Sequence, residues 1–300
     1  PAGRRRMREF TVNFPLYAQV DRLEIGFEPG AEFAAPSPRV CERPIVWYGT
    51  SITQGCCASR PGMAATNIVS RLLNRPVLNF GFAGSGKGEP VVAEKLAEIE
   101  SPAMFLLDYD ANTSEEELAA TLPGFIGILR KRHPGTPVVT ISRLPFPADF
   151  PFDPEDSFEE NTRRRREIHR NNLFRLREAG DRNIHFIDGC SLYGEDFSEC
   201  SSDNCHSSDL GFYRTAHALV PELRRILEAG GCRIESPVPA GERSFGAVAR
   251  SGGFPDFRPA SEFPGIAEEV RSTAAEGGAE SRPPSCGIPL KRREEVQREA

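Results

Sequence analysis

Between Cys41 and about Gly230 the chain repeats one pattern, a compact apolar run followed by a longer amphipathic segment, and nothing else in the sequence constrains the fold as much. IVWY (45–48), VLNF (77–80), AMFLL (103–107), PVVTI (137–141) and IHFI (184–187) read as buried strands. Helical spacing lies between and after them, at 62–73, 89–99, 114–132, 158–179 and 208–228. Strands that alternate with helices need crossover connections, which make the sheet parallel and cover both of its faces. The expectation is an α/β fold, a three-layer α/β/α sandwich around a doubly wound, mostly parallel sheet of about five strands. Ser114 and Glu117 have the spacing of a capping box and mark a helix start. Pro123 is expected to divide that segment into two helices, because an interior proline removes an amide donor and crowds the preceding turn.

The flanks read differently. Residues 10–35 alternate apolar and polar positions around LYAQV and RLEIGF and then meet Pro36 and Pro38, a pattern expected of two short strands and a linker. Residues 231–300 are rich in Gly, Pro, Ser and charge and show no sustained period. Such a segment buries too little apolar surface to offset its ordering entropy, so disorder is expected there, with a short helix near Lys291–Glu299. Three zones result: 1–40, two short strands and a linker; 41–230, the main domain; 231–300, the tail. The chain begins Pro-Ala-Gly rather than with Met, so its natural start, and any secretion signal, is expected to lie upstream.

Composition removes some function classes. A net charge of −6 with a pI near 5.6 gives no electrostatic reason to expect a polyanionic partner such as nucleic acid. No apolar run reaches the roughly eighteen residues of a membrane span. Eight cysteines include the adjacent pair Cys56 and Cys57 and the pair Cys200 and Cys205, but none has C-x-x-C spacing. Free or locally paired thiols are expected, and no metal.

In a sheet of this kind chemistry belongs at the carboxyl ends of the strands. Ser51 stands three residues beyond the first strand, after Gly49, in WYGTSITQG. Asp203 and His206 lie after the last strand in SSDNCHSSDLGF, where a carboxylate can fix the tautomer of a nearby imidazole. Alone, each feature is as compatible with turns and caps. Gly81–Lys87 has the spacing G-x-x-x-x-G-K of a phosphate-binding loop, but position 88 is Gly rather than the Ser or Thr that holds Mg²⁺. His133, His169, His185 and His217 have no ligand partners at metal spacing and read as structural, with His133 solvated at a helix end. Arg163–Arg166, flanked by Glu159, Glu160 and Glu167, reads as a solvated, salt-bridged helix face.

Taken together these loops resemble the SGNH, or GDSL-like, esterase and acylhydrolase superfamily. YGTSITQG is similar to its first block, NFGFAGSG to its glycine block, LLDYDANT to its asparagine block and DNCHSSDLGF to its last, in the family's order. The longer string YGTSITQGCCASRPGMA resembles the branch that carries an N-terminal β-sandwich, which implies that residues 1–40 are a truncated remnant of that module with its linker. The resemblance implies a flavodoxin-like sheet, a nucleophile at Ser51, a base at His206 oriented by Asp203, and an oxyanion hole from the amides of Ser51 and Gly84 with the side chain of Asn112. It implies a serine esterase that removes small acyl groups, acetyl above all, from a carbohydrate through an acyl-enzyme, without a cofactor, in a secreted or periplasmic setting. The sequence departs from the family pattern at Thr50, at Asp110-Ala111-Asn112-Thr113 and at Ser207. Two other classes stay open at this stage: a non-catalytic carbohydrate-binding or interaction module on the same fold, and a nucleotide-binding enzyme using loop 81–87. The Phe- and Pro-rich segment 143–157 is either a wall of the substrate pocket or a rigid surface loop.

Overall fold

A computed structural model of the chain describes residues 7–147 and 158–231. The tail beyond Gly231, with its expected disorder and terminal helix, and most of the 143–157 loop lie outside the described residues.

Five parallel strands form one sheet: β1 Ile45–Gly49, β2 Val77–Gly81, β3 Met104–Asp108, β4 Val138–Ile141 and β5 Ile184–Ile187, in the order β2-β1-β3-β4-β5. Register places Gly49 beside Gly81 on one side and Asp108 on the other. Among the described residues six α-helices accompany them: α1 Ser51–Gln54, α2 Ala65–Leu73, α3 Pro90–Ala97, α4 Glu115–Arg132, α5 Phe158–Glu178 and α6 Asp209–Ala229. Because successive strand residues point to opposite faces, β1 splits its apolar run in two. Ile45 and Trp47 join the core with Ile68 and Val69 of α2 and Phe212 and Leu219 of α6. Val46 and Tyr48 join the opposite core with Ala93 and Leu96 of α3 and Leu122 and Phe125 of α4. This is the expected three-layer sandwich. The strand order reverses direction around β1, so the crevice between the loops after β1 and β3 is the place where such a sheet presents ligands.

Several expectations need correction. The segment around residues 10–28 forms no strand; Phe10, Val12, Phe14, Leu23, Ile25 and Phe27 are all exposed. Two short strands without a third, or without a covering face, do not hold together in water. Pro123 does not divide its helix, since α4 runs unbroken through it. Proline costs about 3 kcal/mol in a helix interior, but burying Leu118, Leu122, Phe125, Ile126 and Leu129 on one face recovers about 1.5–3 kcal/mol for each side chain. Pro123 itself is exposed. VLNF is an edge strand rather than a fully buried one, with Leu78 and Asn79 exposed.

The capping box is present: Ser114 Oγ accepts from the Glu117 amide at 3.1 Å and the Glu117 carboxylate accepts from the Ser114 amide at 2.9 Å. His133 is docked rather than solvated, its Nε2 2.8 Å from Ala97 O and its ring 5.4 Å from Phe105. The arginine run is also only partly a solvent face. Arg163 pairs with Glu167 on the surface, but Arg165 turns inward to the fully buried Asp110 carboxylate and to Thr113 O. Asp110 also accepts from the Arg143 amide at 2.8 Å and lies 3.4 Å from His169 Nε2. Burial pushes the Asp110 carboxyl up, but the bond and charge of His169, then the charge of Arg165, hold it below the ordinary carboxylate value. This cluster fastens α5 to the turn after β3, the turn that carries Asn112.

Candidate active site

Ser51 begins α1 directly beyond β1. Thr50 is the N-cap, its hydroxyl accepting from the Ile52 amide at 3.2 Å. The approach needs glycine at position 49, where a Cβ would lie 2.0 Å from Thr53 Oγ1 and 2.6 Å from Asp108 O. Strand and helix therefore meet closely enough to lift the Ser51 hydroxyl to the rim.

The loop after β5 brings the other two groups. Ser201 and Ser207 form an antiparallel bridge, Ser202 N donates to His206 O at 2.8 Å, and Asn204 takes a left-handed conformation (φ 67°) to turn the chain. Ser207, which departs from the family pattern, is fully buried with its hydroxyl 2.5 Å from Tyr193 OH, so it anchors the loop base from inside. His206 Nδ1 lies 2.7 Å from Asp203 Oδ2, and His206 Nε2 lies 2.9 Å from Ser51 Oγ across 155 residues of sequence. Facing a carboxylate, Nδ1 carries the proton; Nε2 then offers its lone pair to the serine hydroxyl. Asp203 Oδ1 accepts from the amides of Cys205 (3.0 Å) and His206 (2.6 Å). Burial pushes the Asp203 carboxyl up, and the His206 amide, ring and charge outweigh it, so this carboxyl stays ionised below the ordinary range.

The glycine loop is shaped by its contacts. Phe82 N donates to Gly49 O at 3.0 Å and Ala83 N to Gln54 Oε1 at 3.1 Å. A Cβ on Gly86 would lie 2.3 Å from Gly49 O, so this close approach requires glycine. Gly84 is left-handed (φ 67°) with open space where a side chain would be. Among the described residues no acceptor engages the amide of Ser51 or of Gly84. Asn112 reaches the same loop, but its Nδ2 donates to Phe82 O and Gly86 O, both at 3.2 Å. In this conformation Asn112 braces the loop, and donating to an oxyanion requires it to release one of those long bonds.

The phosphate-loop reading of 81–87 finds no support in this geometry. The Lys87 amide donates to the Glu89 carboxylate at 3.1 Å, the same carboxylate accepts from Tyr48 OH at 2.5 Å, and the Lys87 ammonium pairs with Glu117 at 3.6 Å. The turn already holds an anion, and it belongs to the protein.

Two contributors escaped sequence reasoning because their partners are far away in the chain. Asp209, in the first turn of α6, accepts from Ser59 N at 2.9 Å and Ser59 Oγ at 2.5 Å, tying the segment after Ser51 to the helix that follows His206. Behind the site a cavity of about 10 Å³ is lined by Trp47, Thr53, Asp108 and Thr215 among apolar side chains. Trp47 Nε1 and Thr215 Oγ1 are buried without partners. Asp108 accepts from Thr53 Oγ1 at 2.9 Å. Burial pushes its carboxyl up to about 7, opposed by the Thr53 hydroxyl and then by the Trp47 indole.

The family model for GDSL-like lipases and acylhydrolases matches residues 42–224. A Bacteroides ovatus protein classed as a GDSL-like lipase is similar at 36% identity with a TM-score of 0.57, covering 62% of this chain and 54% of that one. The chain thus spans about half the length of that relative. The salicylyl-acyltransferase SsfX3 of a tetracycline biosynthetic pathway, at 23% identity and a TM-score of 0.51 over 64% of this chain and 57% of that one, shares the fold. No curated protein matches the sequence. Among the described residues no helix is long and apolar enough to cross a membrane.

Proposed function

The chain belongs to the GDSL-like lipase/acylhydrolase family, and from that premise we propose that it is a serine carboxylic-ester hydrolase acting through Ser51, His206 and Asp203. The observation that carries this is the continuous hydrogen-bonded line from Ser51 Oγ through the His206 ring to Asp203, at 2.9 and 2.7 Å. A serine hydroxyl is a weak nucleophile near neutral pH and needs a base within this reach.

The proposed reaction runs in two halves. Ser51 Oγ attacks the ester carbonyl while its proton passes to His206 Nε2. Asp203 stabilises the imidazolium that forms, and the free amides of Ser51 and Gly84 stabilise the oxyanion. His206 then gives the proton to the departing alcohol, leaving Ser51 acylated. Water enters and gives a proton to Nε2 as its oxygen attacks the acyl carbon; the acyl–Oγ bond then breaks while Nε2 returns the proton to Ser51 Oγ, releasing the carboxylic acid. Asn112 serves as a third oxyanion donor once it yields one loop carbonyl.

The proposed substrate is a small acyl ester, acetyl above all, on a carbohydrate. The resemblance of YGTSITQGCCASRPGMA to its branch supports it, and so does the openness of the rim, where the Asp203 side chain is 46% exposed and a bulky alcohol can approach. The proposed domain organisation keeps 41–230 as the hydrolase domain and 1–40 as the remnant of a preceding module.

The test compares p-nitrophenyl acetate hydrolysis by wild type and Ser51→Ala, then acetate release from acetylated oligosaccharides. Wild type is expected to turn over both, and Ser51→Ala to lose roughly 10⁴–10⁶ in kcat. Equal background rates for the two proteins would leave a non-catalytic module as the better account. Turnover of long-chain esters alone would overturn the substrate assignment.

A further inference from the structure

Cys56 and Cys57 follow α1 and stand beside the proposed base. One ligand atom from each of Cys56, Cys57 and His206 lies within 4.8 Å of the other two. The two sulfurs are 3.8 Å apart. Adjacent side chains normally diverge, but Cys57 takes a left-handed conformation (φ 69°) shortly after the left-handed Gly55 (φ 108°), which sets both thiols on the same side of the turn. Tetrahedral zinc with Zn–S bonds of about 2.3 Å places two sulfurs roughly 3.8 Å apart. The spacing of the thiols therefore already fits one cation.

The third ligand is equally prepared. Asp203 accepts from Nδ1 of His206, which fixes the tautomer that leaves Nε2 with a lone pair; a carboxylate behind a histidine in this way is the usual support of a zinc-bound imidazole. Two sulfurs and one imidazole are soft-to-borderline donors that select zinc over magnesium or calcium. All three residues retain surface, Cys57 being exposed, so a cation can enter from solvent.

We propose that Cys56, Cys57 and His206 form a binding site for Zn²⁺ whose occupation switches the hydrolase off. Binding replaces two S–H bonds by two Zn–S bonds, releases both protons to solvent and involves no change of oxidation state. The Nε2 lone pair goes to the cation, and Ser51 loses the acceptor for its proton. The inhibitory consequence rests on the esterase reading; the metal site does not.

The test uses freshly reduced full-length chain. Titration with Co²⁺ in place of Zn²⁺ is expected to give thiolate-to-cobalt charge transfer and the intense visible bands of tetrahedral cobalt, both abolished in Cys56→Ser/Cys57→Ser. The other six cysteines of the chain are retained in that variant and report any binding elsewhere. ZnCl₂ is expected to inhibit p-nitrophenyl acetate hydrolysis by wild type, with EDTA restoring it. Each single Cys→Ser variant should keep its basal rate and need about a hundredfold more zinc, at least the loss seen when even the outer partners of a metal site are removed. A wild type without thiolate-to-cobalt bands, or a double variant with the same spectrum and the same zinc sensitivity, would overturn the proposal. A wild type that binds cobalt through thiolates but hydrolyses no ester would instead strike at the esterase reading.

Discussion

Replacing Asp108 with asparagine should change how stability depends on pH, in a way that the buried carboxyl dictates. In the folded chain this carboxyl titrates at about 7 against an ordinary 3.8, because it faces the apolar cavity with the Thr53 hydroxyl as its bonded donor. Its folded value lies above its unfolded one, so between those limits the folded state binds more protons. The contribution is fully present below about pH 4 and is lost as pH rises through about 7. At about 1.4 kcal/mol for each pH unit between 3.8 and 7, the total is ~4 kcal/mol. Asparagine keeps the shape and removes the titration. Urea unfolding of both proteins from pH 4.5 to 8.5 should therefore show wild type losing stability relative to Asp108→Asn by a few kcal/mol across that range, levelling off above pH 8. A difference between the two proteins that is constant with pH would refute the reasoning.

Asp110→Asn should destabilise the fold by about 3–5 kcal/mol, since it leaves Arg165 inward-facing without its counter-charge; chemical denaturation reads this directly, and a loss below 1 kcal/mol would show that the cluster does not hold α5. Gly86→Ala should cost about 1–3 kcal/mol and lower kcat, because its Cβ meets Gly49 O, a backbone atom that cannot step aside. Thermal melts with matched kinetics check both effects. Asp203→Asn should leave melting within a degree or two while kcat falls by roughly 10³–10⁴, through loss of the correct tautomer of His206; unchanged kcat would remove Asp203 from the proposed triad.

The sheet was legible because its strands are short, apolar and separated by helices whose caps are written locally: Ser114 with Glu117, and Ser208 before α6. Each helix forecast between 62 and 228 lies within a few residues of its place. What failed depended on distant partners. Pro123 breaks a helix on local grounds, and only the buried stripe facing the sheet outweighs that local cost. Arg165 looks like part of a solvent-facing run until Asp110, 55 residues earlier, is placed beneath it. The segment around 10–28 carries strand periodicity, but periodicity without a pairing surface makes no strand. In the site, Ser51, Asp203 and His206 were named from loop positions and resemblance, and the fold brings all three together. The Ser59–Asp209 tie, the bracing role of Asn112 and the thiols beside His206 left no sequence signal, since each is a contact between segments rather than a property of one.

Every step of the proposed chemistry depends on one alcohol being made nucleophilic by its neighbour. A fluorophosphonate probe, followed by peptide mapping, interrogates that alcohol directly. The account predicts a single adduct on the tryptic peptide containing Ser51, absent in Ser51→Ala and strongly slowed in His206→Ala. An adduct on another serine, or an unlabelled wild type that still hydrolyses p-nitrophenyl acetate, would contradict it.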